Sequence, residues 1–372
     1  MKTKRTTGRQ VKACHASAWA LGLLLCLASL GCESVRFYGQ AVSGQVGLLW
    51  RREAIEKLLA SDELSQAERS TLELAGELKD FAQRELGLPT KGAYTSYVRL
   101  ERDFVVWNVA VCPEFDVEPK SWWYPIVGRL EHRGYFREKS ALRYGALMER
   151  RGYDVAVGGV EAYSTLGWFS DPVLSTFVGS EETDLAELFF HELAHRELFI
   201  AGDTDYNEAY AVALAEYGVS QWLLTNGTPE SCQNYRDEVL ARDVFFRRVS
   251  ALREALAVIY TKPGRTGSDL ASLRSAKFKA IESFRDEFRN AAKSDSRLER
   301  YLAWVESPID NARISALDTY YRLVPLFRQL LADSESVESF YSRVREIGRM
   351  PRSEREGALR RRGVTDQRIS NP

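Results

Sequence analysis

Residues 189–197 read Phe-Phe-His-Glu-Leu-Ala-His-Arg-Glu, so His191 and His195 lie four apart with Glu192 directly after the first. Residues four apart share one face of an α-helix, and both imidazoles can then point at a single ion. Glu192 can reach a water held by that ion and act as a general base. The alternative is an amphipathic helix with incidental histidines. The chain has only four histidines, however, and two of them fall in this one motif. Zinc is the expected metal, and a catalytic zinc takes three protein ligands while keeping a fourth position open.

The third ligand must be close in space, because His132 is the only other histidine beyond the N-terminal segment. The spacing predicts a helix over 184–201 closed by Gly202, then a second helix from about residue 206 into the 220s. By helical rise, His195 lies roughly 9 Å before the end of the first helix. A helical hairpin therefore brings Glu208 alongside both histidines. Two other readings stay open. Asp205-x-x-Glu208 also has the form of a capping box, which would spend Glu208 on backbone N–H groups. Asp205 could itself be the third ligand.

The elements around this hairpin are legible from their periodicity. Residues 52–87 and 140–151 have helical spacing. Residues 103–112 and 153–157 are β-branched and aromatic and read as strands, with Gly158-Gly159 as a bend before 160–165. Beyond residue 230 the pattern is helical over 237–260, 268–292, 311–332 and 337–348, with a break at 262–268. Residues 33–50, with Gly39, Gly44 and Gly47, suggest an extended lead-in. Residues 351–372 are Arg-rich and poor in apolar groups, which suggests a disordered basic tail. The expected fold class is α+β, mainly helical. A small strand-containing half precedes the His-Glu-x-x-His helix and a helical half follows it, as one domain over 32–350.

The first thirteen residues carry Lys2, Lys4, Arg5, Arg9 and Lys12 and no acid, and an apolar run follows over 16–30. That is the order of a secretory signal. The run is short for a spanning helix, although an uncleaved anchor is the other reading. It ends Leu27-Ala-Ser-Leu-Gly-Cys32, which resembles a bacterial lipobox, with Ser29 where Leu is usual. The resemblance implies a signal over 1–31 and lipid on Cys32. It implies anchorage in the bacterial envelope on the periplasmic side of a membrane. Glu33, in place of an inner-membrane Asp, favours the outer one. Cys14 and Cys26 then leave with the signal, and Cys112 and Cys232 remain as one disulfide or two separate thiols. A net charge of −1 with 45% hydrophobic residues excludes a disordered chain and points away from nucleic acid as a partner.

Asn207-Glu208-Ala209-Tyr210-Ala211 is similar to the Asn-Glu-x-Phe-Ala segment of zinc aminopeptidases of the Glu-zincin type. More specifically, the chain resembles the family of predicted bacterial aminopeptidase lipoproteins. The resemblance rests on Cys32 with Tyr38-Gly-Gln-Ala41, on Gly134-Tyr-Phe136, and on Ala162-Tyr-Ser-Thr-Leu-Gly-Trp-Phe-Ser-Asp-Pro-Val-Leu174. It also rests on the His-Glu-x-x-His segment and on Asn311-Ala312 ahead of Tyr320-Tyr321 and Val324-Pro325. It implies a zincin-like core that removes N-terminal residues from peptides. His191, His195 and Glu208 would hold Zn2+, and Glu192 would move the proton. Tyr320 or Tyr321 would stabilise the oxyanion, and Glu161, on a glycine-containing strand, would bind the substrate ammonium. An edge strand there could also pair with an extended peptide. The sequence departs from relatives in having no acid four residues after Glu208, which leaves Glu216 as the candidate to orient the histidines. A zinc endopeptidase, or a non-catalytic metal-binding envelope scaffold, are the alternative functions.

Overall fold

The computed structural model describes residues 32–124, 127–162, 170–261 and 267–362. The signal over 1–31, most of the aromatic block after Ala162 and the last ten residues lie outside the described residues. The chain divides into two units, Met1–Arg51 and Arg52–Pro372. In the first, Cys32–Trp50 is a helix, α1, rather than an extended lead-in. Its glycines cost about 1 kcal/mol each against alanine, but they stand singly among better helix formers, and Glu33 lies in the favourable first turn. Among the described residues, no helix is long and apolar enough to cross a membrane.

The second unit is α+β and mainly helical, with small sheets confined to its N-terminal half. It opens with β1 (Glu53–Ala54), α2 (Ile55–Leu59), α3 (Gln66–Arg84), β2 (Ser96–Val98), β3 (Val106–Pro113), β4 (Trp122–Tyr124), β5 (Gly128–Leu130) and β6 (His132–Tyr135). Then come α4 (Glu138–Glu149), β7 (Tyr153–Val160) and β8 (Val173–Leu174). The helical half is α5 (Glu182–Glu197), α6 (Thr204–Asn226), α7 (Pro229–Tyr260), α8 (Gly267–Ser294), α9 (Leu302–Glu306), α10 (Asn311–Tyr321), α11 (Val324–Ala332), α12 (Val337–Gly348) and α13 (Arg352–Arg362). Strand β7 runs through Gly158-Gly159 without the expected bend, because its ladder to β3 is continuous from Tyr153 to Val160.

The antiparallel sheet β6-β3-β7 separates two helices. Alternation sends Val155 and Val157 to one face, where a Cβ on Gly145 of α4 would stand 3.2 and 3.3 Å from them. The opposite face carries Cys112 and its ladder partner Asp154, and α10 is pinned there. The Asn311 N–H donates to Asp154 Oδ2 at 2.9 Å, and Asn311 Nδ2 donates to the carbonyls of Pro113 and Glu114. Ser315 Oγ donates to the Val117 carbonyl at 2.9 Å. These bonds fix the N-terminal half of α10, and Tyr320 sits at its other end.

Helix α6 is the centre of the unit. Its buried positions run all round it, from Tyr206 to Leu223, as a helix enclosed on every side requires. Small residues let neighbours approach. A Cβ on Gly218 would lie 2.7 Å from Phe190 Cδ2 and 2.8 Å from Leu86 Cδ1. Gly218→Val should therefore destabilise by roughly 2–3 kcal/mol through overpacking, despite its gain in helix propensity. A lowered urea midpoint at unchanged slope would show this, and an unchanged midpoint would refute it.

Within the segment expected to be a disordered tail, Arg352–Arg362 is a helix, and residues 363–372 lie outside the described residues. Ala358 and Leu359 are buried, and Arg355 pairs with Asp203 at the start of α6. Arg322 bridges Glu356 and Asp205 at 2.7 Å each. Average composition hid two apolar anchors and the acids that the arginines meet.

Candidate metal centre

Helix α5 buries Leu185, Ala186, Phe189, Phe190, Leu193 and Ala194, which turns His191 and Glu192 to its remaining face. It ends at Glu197, four residues earlier than the sequence suggests, because Leu198 is already extended. Gly202, at φ +81°, makes the turn into α6. The turn is closed by one side chain. Asn207 accepts from the Ile200 N–H and donates to the Ile200 carbonyl, both at 2.8 Å. Asn207 therefore locks the hairpin, and Glu208 follows it onto the face toward α5.

His191 Nε2 and His195 Nε2 lie 3.1 Å apart, and Glu208 Oε2 lies 3.2 Å from the first and 3.6 Å from the second. Among the described residues, this is the group of side chains that could hold a metal ion. Two ligands about 2.05 Å from a tetrahedral ion are separated by about 3.3 Å. The three edges bracket that value, and the donor set of two imidazoles and one carboxylate suits zinc. His195 Nδ1 is buried with no hydrogen-bond partner among the described residues.

The charges respond to this crowding. Burial alone would raise the Glu208 carboxyl, but His195 and the bonds to both imidazoles hold it well below the usual carboxylate range. Burial works against charge on His191, and Glu208 outweighs it with help from Glu192 and Glu187, so His191 is raised. A divalent cation would displace the proton that Glu208 favours on His191. Glu192 is raised by burial, with the two histidines pulling the other way. A half-buried carboxylate with a raised pKa is suited to take and return a proton.

Tyr320 and Tyr321 part company. Tyr320 is raised chiefly by the charge of Glu208, then by burial and by Glu192, so its phenol lies within electrostatic reach of both carboxylates. Tyr321 instead stacks on Phe246 at 3.4 Å and lies against Arg242. His132 starts β6 on the sheet face toward α10, and Glu208 is the charge that acts on it. It lies outside the three-ligand group. The Tyr94 phenol is raised by burial first and then by the charges of Glu192 and Asp171. Sequence reasoning missed Tyr94, which stands in a loop with no periodic signal.

Other candidates are placed elsewhere. Asp205 pairs with Arg322 and is not in the group of three, and its side chain caps nothing because Asp203 is the N-cap. Glu216 is held by Arg328 at 2.6 and 2.7 Å and lies 3.8 Å from Arg242, so it does not orient the histidines. Glu187, one turn before His191, is gripped by Arg242 and by the Tyr235 hydroxyl. Glu161 is exposed just past the end of β7, at the sheet edge opposite His132, and its carbonyl accepts from the Thr176 hydroxyl. It is not among the charges acting on Tyr320, Tyr94 or His132. Cys112 and Cys232 are both free, and burial raises the Cys112 thiol to about 12.

A helical hairpin that converges two histidines and a glutamate, with a second glutamate beside them, defines a candidate metal-hydrolase centre on an α+β scaffold. A family model described as "Putative aminopeptidase" matches residues 36–359, and the chain belongs to that family. No curated protein and no solved structure matches the chain.

Proposed function

We propose that the protein is a zinc-dependent aminopeptidase that removes N-terminal residues from peptides and is tethered to the bacterial envelope by lipid on Cys32. The reading is carried by the three ligand atoms at tetrahedral spacing with Glu192 on the next residue of the same helix. A zinc ion held by His191, His195 and Glu208 would supply Lewis acidity, polarising the scissile carbonyl and acidifying a water. Glu192 accepts the proton of the attacking water on its carboxylate and returns it to the leaving amine. The Tyr320 hydroxyl donates to the oxygen on which charge develops.

One observation favours a second reading, a zinc endopeptidase with the same machinery. Glu161, the candidate for the substrate ammonium, is exposed just past edge strand β7, on the opposite side of the sheet order from His132. Zinc analysis of the purified protein, with hydrolysis of aminoacyl amides against N-acetylated peptides, tests both. Preference for free N-termini supports the aminopeptidase, equal rates favour the endopeptidase, and zinc without hydrolysis leaves a scaffold.

The two tyrosines provide a sharper check. Tyr320→Phe should lower kcat by roughly 10²-fold, the usual loss for one oxyanion donor. Tyr321→Phe, which keeps the ring stacked on Phe246 and removes a hydroxyl beside Arg242, should stay within a few-fold. The reverse order in steady-state assays would move the role to Tyr321. For the anchor, Cys32→Ser should leave an unlipidated precursor, and mass spectrometry showing an unmodified wild-type Cys32 would dismiss the tether.

A further inference from the structure

Helix α1 leaves apolar side chains in contact with solvent along one face. Val42, Val46 and Trp50 follow one another at four-residue steps, so they share that face, and they are 64%, 44% and 87% exposed. Phe37 and Leu48, three turns apart and therefore in line on the opposite side, are buried. From Phe37 to Trp50 the chain carries no charged residue. Arg36 precedes this stretch and Arg51 follows it. Both are exposed, and neither pairs with an acid among the described residues. The apolar run over 16–30 ends two residues short of Cys32, the first residue of the helix. On the envelope reading, α1 therefore starts at a membrane surface, whether lipid on Cys32 or the run itself holds the chain there.

We propose that α1 is an interfacial helix: it lies along the surface of an anionic phospholipid bilayer, with Val42, Val46 and Trp50 in the headgroup layer and Arg36 and Arg51 on lipid phosphates. The proposal rests on the envelope location and not on the peptidase reading. Geometry favours this orientation over the other two. Standing upright, the helix would hold Val42 roughly 15 Å and Trp50 roughly 27 Å from its first residue, in water, where their exposed apolar surface has no use. Spanning is ruled out for this helix, because no helix among the described residues is long and apolar enough to cross a membrane. Lying flat, α1 brings all three side chains to one depth. An indole ring suits that layer, with its apolar body toward the acyl chains and its N–H toward the headgroups. The two unpaired arginines complement a surface of negative charge, and each phosphate can accept two N–H bonds from a guanidinium. Lipid on Cys32 would fix one residue at the membrane, whereas the helix would fix a face.

Tryptophan fluorescence of the full-length protein, reconstituted through its own N-terminus into phosphatidylcholine vesicles with or without phosphatidylglycerol, tests this. Subtracting the spectrum of Trp50→Phe from that of the wild type isolates Trp50 from the other tryptophans. Its emission should shift to the blue on reconstitution. Bromine carried high on the acyl chains should quench it more than bromine at their ends, the pattern of a side chain roughly 5–10 Å deep. Phosphatidylglycerol should strengthen the quenching, and the pair Arg36→Gln and Arg51→Gln should lose that gain. The pair Val42→Asp and Val46→Asp should lose the quenching altogether while the protein still floats with the vesicles. A wild type that floats with the vesicles but keeps a water-exposed, unquenched Trp50 would overturn the interfacial helix and leave the tether standing. A Trp50 indifferent to bromine, together with a doubled mass in sedimentation, would give the face to a second copy and overturn it equally. A wild type that does not float would overturn helix and tether together.

Discussion

Glu192→Gln is expected to keep its zinc and its fold while losing roughly 10²- to 10⁴-fold in turnover, the contribution of a general acid–base group. The substitution is nearly isosteric and leaves the three ligand atoms untouched. It removes the carboxylate that burial holds above its usual pKa, and an amide there can neither take the water's proton nor deliver it to the amine. Zinc content by mass spectrometry, the urea midpoint and single-turnover hydrolysis should be measured on one preparation. Full turnover would remove the hydrolase mechanism and put the scaffold function ahead. Lost zinc would mean that Glu192 holds the ion rather than the proton.

His191→Ala, His195→Ala and Glu208→Ala should each release the metal, since each deletes one of three protein bonds and leaves the other two partly buried. Activity should fall below detection in all three. Asp205→Ala is the informative control. Its carboxylate is committed to Arg322, so its loss should leave zinc content and kcat close to wild type. Equilibrium dialysis against buffered zinc decides the matter. Loss of metal in Asp205→Ala together with retention in Glu208→Ala would transfer the third ligand to Asp205.

The fold class and the convergence of His191, His195 and Glu208 were both legible in the sequence. His191 and His195 share a helix face by spacing alone, and the return of Glu208 follows from a short turn between two helices. What spacing could not show is how the turn closes. Asn207 has no periodic signature, and its two bonds to Ile200 exist only in the folded hairpin. The same limit separates Tyr320 from Tyr321. They are adjacent in sequence, and only the pinning of α10 to Asp154 and Val117 decides which one comes within electrostatic reach of Glu208. Errors of element type came from composition. Glycines over 33–50 outweighed helix formers, and an Arg-rich tail hid Ala358 and Leu359. Glu216 shows a third kind of miss. Its position on α6 is as inferred, but arginines distant in sequence claim its carboxylate.

The Asn207 clamp bears on how the protein would live without its ion. The bonds that close the α5–α6 turn are amide to backbone, and the helices they join are packed through Gly218, Phe190 and Leu86, so none of this scaffolding is borrowed from a metal. In a zinc finger the ion is a folding partner, and stripping it dissolves the domain. Here the ion would be a passenger in a cradle assembled beforehand. Chelation would cost only the stabilisation of mass action, which grows with the logarithm of free metal over Kd. Such an apoprotein would be a durable species, able to empty and refill without passing through an unfolded chain.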